Sequence, residues 1–307
     1  MPRKYKVLTE AQIEHFLEKG CVVLNDCFSR DMAEEWKALA YKRMVDYDPD
    51  DPTTWKEARV HLPEIKSVPI REAAPKAFDA ICDLLGGEER VARKYPWKKT
   101  EEDGLDLRDG FIINFKMGAD RPWDPPSPKS GETGWHKDGD MFKHFLDSPE
   151  QGLLTIVMWS DIYPQSGGTF IACDSIKHFA QRLSEHPEGL MPGSFGDLID
   201  KCEDFVEITG NIGDVVLAHP YMLHNASQNL SGRPRFITNR PISLKEPMNF
   251  NREDPDEFSP VELGILRALG LERLDFKITT PREGLMPERE IMAMKVLAEQ
   301  KARLGIA

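Results

Sequence analysis

The stretch GWHKDGDMFKH, residues 134–144, contains two histidines and two aspartates within nine positions. Imidazole nitrogens and carboxylate oxygens are common ligands of transition metals. Alternate residues of a β-strand point to the same face of a sheet, so a strand here would direct His136 and Asp138 to one side and Lys137 to the other. One histidine with one aspartate makes two legs of a 2-His-1-carboxylate site, which suits an Fe(II) ion that must also bind O₂ and a co-substrate. The spacing therefore predicts a metal site at His136 and Asp138, with a third ligand from elsewhere in the chain.

A simple turn, a zinc site or a calcium loop could also account for this stretch. An ordinary His/Asp pair at a turn has the same spacing, and Zn²⁺ accepts the same ligand types. A calcium loop that begins at Asp138 would need glycine at its sixth position and an acid at its twelfth, where the chain has Lys143 and Pro149. Calcium is therefore excluded, whereas the turn and zinc remain open.

A second segment, GDVVLAHPYMLHNASQNLSGRPRF, supplies candidates for the third ligand and for co-substrate binding. His219 and His224 both follow a strongly apolar strand pattern, and both are possible ligands. An arginine lies in the strand that comes next. A guanidinium can bind the far carboxylate of 2-oxoglutarate through two parallel hydrogen bonds, which a lysine cannot do.

Three arginines could take that role. Arg233 precedes a proline and is expected in a turn. Arg240 has the opposite strand parity to Arg235, whereas Ile237 and Asn239 share the face of Arg235. The pattern predicts Arg235 as the residue that contacts the carboxylate.

The motifs HKD, GGTFIACDSIKH, GD, HNASQN and RPR, in this order, resemble those of the phytanoyl-CoA hydroxylase-like Fe(II)/2-oxoglutarate dioxygenases. The opening segment LTEAQIEHFLEKGCVVLNDCFS is also similar to that family, so the resemblance covers roughly residues 8–45 and 110–240. It implies a mainly β fold with flanking helices, built as a double-stranded β-helix, that is, a jelly-roll or cupin-like barrel. The residues that it implies are His136, Asp138 and His224 as ligands of Fe(II), and Arg235 on the far carboxylate of 2-oxoglutarate.

The chain departs from the family at two motifs. The family often has a serine two residues after the distal histidine, where this chain has Ala226, so Ser227 becomes the candidate for that hydrogen bond to 2-oxoglutarate. The family's P-G-S-H appears here as ACDSIKH, which is expected to change only a turn. Related halogenases replace the ligand carboxylate with a small residue, so Asp138 favours hydroxylation over halogenation.

Four further residues are candidates for ligand contacts. Asn114 lies in a strand among apolar neighbours, and a buried amide needs a partner. It is therefore either a satisfied core residue or a hydrogen-bond donor to 2-oxoglutarate. Trp123, Phe142 and His144 are expected on loops near the mouth of the barrel, where loops carry specificity, and are candidates for substrate contact. For His144, a surface or lid position is favoured over a role as metal ligand.

Helices are expected to flank a central block of short strands. Thr9 and Gly20 are predicted to cap a first helix and Ser29 is predicted to begin a second. A third helix is predicted near IREAAPKAFDAICDLLGG, closed by Gly86 and Gly87. We expect a single dioxygenase domain over residues 1–307. Its predicted parts are a mostly helical N-terminal support at 1–109, a jelly-roll core at 110–245 and a helical C-terminal tail at 246–307.

Composition narrows the possible partners and the location. Lys and Arg number 40 against 52 Asp and Glu, a net charge of −12, which disfavours nucleic acid and anionic membrane surfaces. The N-terminal segment has no apolar core typical of a signal peptide, and no apolar run is long enough to span a bilayer. Five scattered cysteines without a C-x-x-C pair indicate reduced thiols and a cytoplasmic location. No obligate protein partner is inferred.

These observations predict an Fe(II)/2-oxoglutarate-dependent oxygenase. It would use O₂ to hydroxylate a small-molecule substrate while 2-oxoglutarate is decarboxylated to succinate. The alternative is a non-catalytic jelly-roll protein that binds a metal or ligand or acts as a sensor, because a fold by itself does not decide function.

Overall fold

The computed structural model describes residues 5–97 and 104–305. The α-helices are α1 (Glu10–Lys19), α2 (Arg30–Arg43), α3 (Ile70–Ala73), α4 (Pro75–Leu85), α5 (Ser175–Ser184), α6 (Pro260–Leu269) and α7 (Glu288–Leu304). The strands are β1 (Cys21–Leu24), β2 (Arg59–His61), β3 (Ser67–Pro69), β4 (Asp106–Arg108), β5 (Ile112–Asn114), β6 (Leu153–Met158), β7 (Thr169–Ala172), β8 (Phe205–Ile208), β9 (Val215–Ala218), β10 (Leu223–Ala226) and β11 (Arg235–Ile242). Short 3₁₀ helices lie at Pro52–Thr54, Glu88–Arg90, Gly196–Lys201 and Pro255–Glu257.

The first two helices begin and end where the sequence predicts. Thr9 accepts a hydrogen bond from the Gln12 backbone and Gln12 returns one, which is a capping box, and Gly20 closes α1 at a φ of 73°. Ser29 caps α2 by accepting from the Met32 backbone N–H.

The third predicted helix lies in this segment but is divided, because the chain forms α3 and α4 with a break at Ala74. Ala74 has a φ of −142° and a ψ of 62°, outside the helical region. A residue that precedes a proline is disfavoured in the α conformation, and Pro75 follows directly. Gly86 ends α4 at a φ of 92°, as predicted.

Antiparallel sheets form the centre of the fold. One sheet has six strands in the order β1-β9-β6-β11-β5-β2, a second has three in the order β10-β7-β8, and β3 pairs with β4. Strands β6, β7 and β9 are buried along their whole lengths. The prediction of sheets with flanking helices is thereby confirmed. Besides helices α1 to α4, the region 1–109 supplies both edge strands of the large sheet, β1 and β2.

One contiguous apolar core connects helices and sheets. Trp159 is fully buried and stacks on Trp36 of α2, with ring centroids 4.8 Å apart. Phe111 meets Trp159 edge-on at 5.3 Å, so α2 is packed directly against the large sheet. Among the helices in the described parts of the chain, none is long and apolar enough to cross a membrane.

Candidate metal centre

Three of the predicted ligands converge at one point. His136 and His224 exchange backbone hydrogen bonds of 3.1 and 2.9 Å, and their ring centroids are 4.4 Å apart. Asp138 Oδ1 lies 3.8 Å from His136 Nε2 and 3.6 Å from His224 Nε2. The ligand atoms of the three side chains all lie within 4.8 Å of one another, so the structure brings together residues that are distant in the sequence.

The local structure that carries these ligands differs from the expectation in part. His224 follows the apolar strand β9, as expected, and lies within the next short strand, β10, which pairs with β7. His136 forms only an isolated bridge to His224, and the chain bends at Asp138 before Gly139 adopts a φ of 113°. The predicted strand through His136 and Asp138 is therefore limited to one bridge residue followed by a bend.

Lys137 has a more specific environment than the strand prediction implied. Its Nζ donates to the backbone oxygen of Asp138 at 2.9 Å and to Gln151 Oε1 at 3.1 Å, and it lies 3.2 Å from His144 Nδ1. Burial lowers the pKa of Lys137 to about 7, against the opposing influence of Asp138 and Glu150. The side chain therefore packs into the protein behind the ligand loop.

Hydrogen bonds from neighbouring groups orient the ligands. His136 Nδ1 lies 2.8 Å from the Gly134 carbonyl and His224 Nδ1 lies 3.2 Å from the Met222 carbonyl, so each Nδ1–H donates and each Nε2 is left with a lone pair. Asn239 Nδ2 donates to Asp138 Oδ2 at 2.9 Å, which leaves Oδ1 directed at the histidines. His224 Nε2 is buried and has no hydrogen-bond partner among the described residues. A divalent ion bound by these three atoms would satisfy that nitrogen, so the residues fit a metal.

The charges in the cluster favour an ionised carboxylate. Burial acts to raise the pKa of Asp138, but His224, His136 and Lys137 outweigh it and hold the pKa below its ordinary value. Burial acts to lower the pKa of His224, and the Asp138 carboxylate reverses this effect and raises it. The pKa of His136 is lowered by burial first and by His224 second, although 47% of its side chain is exposed to solvent. Because a metal ligand must be deprotonated, a cation that binds here competes with protons for His224.

Arg235 is the arginine whose placement agrees with a role inside the protein. It is 3% exposed, and it donates from Nε to the Gly167 carbonyl at 2.7 Å and from Nη1 to the Ile112 carbonyl at 3.2 Å. Arg233 is exposed, whereas Arg240 forms an ion pair with Glu64 and donates to the hydroxyl of Tyr95.

Asn114 and Ser227 are adjacent and buried. Asn114 Nδ2 donates to the Ser227 carbonyl at 3.0 Å, and its Oδ1 accepts from the Met117 backbone at 3.0 Å. Ser227 Oγ donates to the Gln228 carbonyl at 3.3 Å. The Asn114 amide is therefore bonded to protein at both ends, and a contact with 2-oxoglutarate would use its second Nδ2 hydrogen.

The three candidates for substrate contact do not share one environment. Trp123 is half-buried and meets Phe170 edge-on, with centroids 5.5 Å apart. Phe142 is 1% exposed and His144 is 2% exposed, so the expectation of a surface or lid position for His144 is wrong. Their rings lie 4.8 Å apart, packed under the loop that carries Asp138.

Sequence reasoning missed two residues at this site. Asn239 holds Asp138, although its shared face with Arg235 was a usable signal. Arg59 of β2 lies opposite Asn114 of β5, which in turn lies opposite Arg235 of β11. A strand of three residues cannot be told from a loop by periodicity, so the sequence carried no signal for Arg59.

A second group in the described residues could also hold a metal. Asp174, His178 and Cys202 have ligand atoms within 4.8 Å of one another. Burial raises the pKa of the Cys202 thiol to about 12. Thiolate ligands select Zn²⁺ or Cu(I), whereas two histidines and a carboxylate suit Fe(II) that reacts with O₂. The first group is therefore the candidate iron site.

Comparison with known proteins identifies one family. A family model described as phytanoyl-CoA dioxygenase (PhyH) matches residues 16–237, which is more than half of the chain. The matched range contains the three candidate ligands and Arg235. A search of curated proteins returns no match.

Several solved structures are similar to this chain at low identity. HygX from Streptomyces hygroscopicus, solved with nickel, 2-oxoglutarate and hygromycin B, has 14% identity and a TM-score of 0.43, and 78% of this chain and 88% of that chain are covered. EctD from S. alaskensis has 18% identity and a TM-score of 0.44, with 92% and 94% covered. AviO1 from Streptomyces viridochromogenes Tue57 has 16% identity and a TM-score of 0.44, with 80% and 98% covered. These likenesses are too weak to support an inference about the substrate.

Proposed function

The chain belongs to the phytanoyl-CoA dioxygenase family, and we propose that His136, Asp138 and His224 hold the Fe(II) ion of this Fe(II)/2-oxoglutarate-dependent oxygenase. The observation that carries the proposal is the convergence of these three side chains, with both Nδ1 atoms anchored to backbone carbonyls and both Nε2 atoms within 4 Å of Asp138 Oδ1. Two histidines and one carboxylate occupy one side of an ion and leave the other side for O₂ and a co-substrate.

The ligand set indicates which chemistry the metal and co-substrate supply and which role is left to the protein residues. When bound, Fe(II) and 2-oxoglutarate supply the oxidation of a substrate C–H bond by O₂, with release of succinate and CO₂. The protein residues orient the participants. Asn239 fixes Asp138 so that Oδ1 is presented, and the carbonyls of Gly134 and Met222 fix the two imidazole tautomers.

We propose that Arg235 binds the far carboxylate of 2-oxoglutarate, with Ser227 and Asn114 as neighbouring hydrogen-bonding groups. The burial of Arg235 supports this role. Only backbone carbonyls accept from its guanidinium among the described residues, so its positive charge has no acidic partner there. A buried charge without a counter-ion is unfavourable, and the carboxylate of a bound ligand would offset that cost.

We propose a small molecule as the substrate, in contact with Trp123 and with a wall formed by Phe142 and His144. Phe142 and His144 are buried, so they would shape the pocket beneath the ligand loop rather than act from an exposed lid. Hydroxylation is the proposed reaction.

We also propose that residues 1–307 form one domain in which the two larger sheets are the walls of a jelly-roll barrel. The contiguous core supports a single domain, because it includes residues from the N-terminal region, the strands and the region after residue 246. A cytoplasmic location is supported by the five cysteines, all of them free and buried. The net charge of −12 supports the proposal that the protein binds neither nucleic acid nor membrane surfaces. We propose no obligate protein partner.

Iron binding by variants tests the ligand assignment. Asp138→Ala should weaken Fe(II) or Ni(II) binding strongly, as measured anaerobically by calorimetry, and should abolish succinate formation from 2-oxoglutarate. Asp31→Ala is the matched control, because it removes an exposed carboxylate that belongs to neither metal-capable group and should leave both readouts unchanged. Equal metal affinity in the wild-type and Asp138→Ala proteins would contradict the assignment. Mass-spectrometric comparison of metabolite pools before and after incubation would then identify the hydroxylated product.

A further inference from the structure

Asp174, His178 and Cys202 form a second cluster of possible metal ligands, between α5 and the segment that returns to the three-stranded sheet. Asp174 immediately precedes α5 and His178 lies one turn further along, so both residues are on the same face of the helix. Cys202 follows the 3₁₀ helix Gly196–Lys201. One ligand atom from each of the three residues lies within 4.8 Å of the others. The fold therefore brings together an oxygen, a nitrogen and a sulfur ligand from two separate segments.

The Asp174 carboxylate is directed away from the helix that it precedes. An aspartate at this position commonly accepts a hydrogen bond from the first turn of the helix, but Asp174 makes no such cap. Its Oδ2 instead accepts from the backbone N–H of Glu203, the residue after Cys202, at 2.8 Å. Its Oδ1 is buried and has no hydrogen-bond partner among the described residues. A buried polar atom without a partner is unfavourable, and a cation at this position would satisfy it.

The Cys202 thiol is suited to bind a metal ion and unsuited to act as a nucleophile. The residue is 3% exposed, and its Sγ donates a weak hydrogen bond to the Leu198 carbonyl at 3.5 Å. Burial raises the pKa of the thiol to about 12, and the Asp174 carboxylate acts in the same direction. A thiol in such surroundings is inert as a nucleophile at neutral pH, whereas a metal ion that binds the sulfur displaces its proton.

The combination of ligand types favours Zn²⁺. Zn²⁺ is bound by cysteine sulfur, histidine nitrogen and carboxylate oxygen, in a tetrahedral arrangement of four ligands. Cu(I) is selected by soft sulfur ligands, and Mg²⁺ and Ca²⁺ are bound by oxygen ligands. A set of one sulfur, one nitrogen and one oxygen fits none of these ions as well. Three protein ligands and one water molecule would complete a zinc site.

The segment that such an ion would hold packs against the candidate iron site. Leu190 and Phe195 lie in this segment, between the end of α5 and Cys202. Leu190 and His144 exchange backbone hydrogen bonds of 2.9 and 2.8 Å, and the Phe195 ring meets His144 edge-on at 5.3 Å. A link between α5 and Cys202 would therefore restrain the segment that supports His144.

We propose that Asp174, His178 and Cys202 bind a Zn²⁺ ion that fastens the segment 185–202 to α5. The role of the ion is structural, because a metal that joins distant parts of a chain restricts the unfolded state and couples binding to folding. The proposal is independent of the iron assignment, since the two sites share no ligand.

The first arm of the test titrates the metal-free protein with Co(II). A cysteine ligand gives a thiolate-to-cobalt charge-transfer band in the near-ultraviolet, which a site of two histidines and an aspartate cannot give. The wild type should develop this band, and Cys202→Ser should abolish it. Asp174→Asn and His178→Gln should weaken the binding that produces the band about a hundredfold or more, because the loss of an outer hydrogen-bond partner alone costs about 10–100-fold.

Matched variants control for the other thiols, for the iron site and for folding. Cys82→Ser removes a buried thiol of α4, and Asp138→Ala removes a ligand of the candidate iron site, so both should keep the band. Asp174→Asn retains an oxygen that can accept from the Glu203 N–H, so this variant preserves the local packing if Cys202→Ser does not. Far-ultraviolet circular dichroism of the metal-free proteins identifies any variant that is unfolded.

The second arm measures the restraint on the segment by hydrogen exchange with and without Zn²⁺. Amides of residues 194–202 should exchange roughly tenfold more slowly with Zn²⁺ in the wild type and in Asp138→Ala, because local opening must break the link. His178→Gln should show no such slowing.

Each unfavourable outcome contradicts a definite part of the proposal. A wild type without the band, or a band that survives Cys202→Ser, overturns the zinc site. The site is also overturned if Asp174→Asn and His178→Gln bind Co(II) as the wild type does. Exchange that Zn²⁺ leaves unchanged in the wild type overturns the restraint on the segment. A wild type that forms no succinate contradicts the proposed oxygenase, whereas the band then still decides the zinc site.

Discussion

At the scale of single residues, the site depends on groups that hold the ligands as much as on the ligands themselves. The carboxylate of Asp138 could rotate about its side-chain bonds, and Asn239 restrains it by a hydrogen bond to Oδ2. A ligand carboxylate with a fixed orientation loses no further rotational freedom when the ion binds. Outer hydrogen-bond partners of this kind contribute about 10–100-fold to metal affinity.

The variant Asn239→Ala should therefore bind Fe(II) about 10–100-fold more weakly while keeping all three ligands. Anaerobic titration with Fe(II) or Ni(II) measures the change. Asn251→Ala, at an exposed asparagine, is the matched control and should bind as the wild type does. Wild-type affinity in Asn239→Ala would mean that the Asp138 rotamer is set by its own backbone.

The role of a residue could be predicted where the chemistry of the site allows only a few residue types. His224 and Arg235 were recognisable as candidates because their spacing resembles that of the family, and the structure clusters His224 with His136 and Asp138 and buries Arg235. The environment of Lys137 was not predictable, because its partner Gln151 lies in a separate segment. The same limit applies to the burial of His144, which forms a bridge to Leu190.

At the scale of elements, the loop after Asp138 requires both a positive φ and free space at Gly139. Gly139 has a φ of 113°, and a Cβ added there would lie 2.7 Å from Phe142 Cζ and 2.8 Å from His144 Cε1. Gly134, on the other side of His136, has a φ of 80° with nothing within 4 Å of its Cβ position. An alanine would therefore have a strained backbone at either position, but its Cβ would meet neighbouring side chains only at position 139.

Gly139→Ala should consequently lower both the unfolding temperature and the metal affinity more than Gly134→Ala does. The strain term is about 1–2 kcal/mol in each variant, and the contact with Phe142 and His144 adds to it only at Gly139. Thermal unfolding and Ni(II) titration of the two variants measure the difference. Equal losses would indicate that the aromatic pair moves aside without cost.

The link between β9 and β10 contains a buried histidine that should make the fold sensitive to acid. His219 Nδ1 accepts from the Tyr221 backbone at 3.1 Å, and Nε2 lies 3.4 Å from the Val261 carbonyl. Burial lowers the pKa of His219 to about 3. Below about pH 6.5 the unfolded chain binds a proton that the folded chain does not, so stability falls as the pH decreases toward 3.

His219→Gln should flatten that dependence. Between pH 7.5 and pH 5 the histidine contributes a loss of about 2 kcal/mol in the free energy of unfolding, which urea titration at the two pH values can measure. Glutamine can retain a donor and an acceptor but does not titrate. His15→Gln, at an exposed histidine, should keep the wild-type dependence. Unchanged pH dependence in His219→Gln would show that other titratable groups determine how stability falls in acid.

The helices were more predictable than the strands, for a local reason. Caps such as Thr9, Ser29 and Gly20 act within one helical turn, so the sequence window contains the whole signal. The sequence of β10, LHNA, has no strand pattern of its own and owes its conformation to pairing with β7. The break at Ala74 was also local, and the rule for residues before proline would have found it.

At the scale of the whole molecule, the candidate site connects two sheets. His224 belongs to the three-stranded sheet, whereas Asn239 and Arg235 belong to the six-stranded sheet, and Asp138 contacts members of both. The long-range order β1-β9-β6-β11-β5-β2 could not be derived from local patterns, because each neighbour is distant in sequence. The resemblance to a family predicted sheets with flanking helices, and the placement of β1 and β2 at the edges came only from the structure.

Because the ligands contact residues of both sheets, their binding should stabilise the whole protein against unfolding rather than one segment. Ni(II) with 2-oxoglutarate at about a hundredfold excess over its dissociation constant should add about 2.7 kcal/mol, a rise of roughly 5 °C in unfolding temperature for a chain of this size. Tryptophan fluorescence and far-ultraviolet circular dichroism should report the same shift, and EDTA should reverse it. Asp138→Ala should lose most of the shift, and 2-oxoglutarate without metal should give only the smaller part contributed by its contact with Arg235. If the two probes report different midpoints, the ligands stabilise one sheet more than the other. In that case the Asn239 to Asp138 hydrogen bond does not couple the sheets.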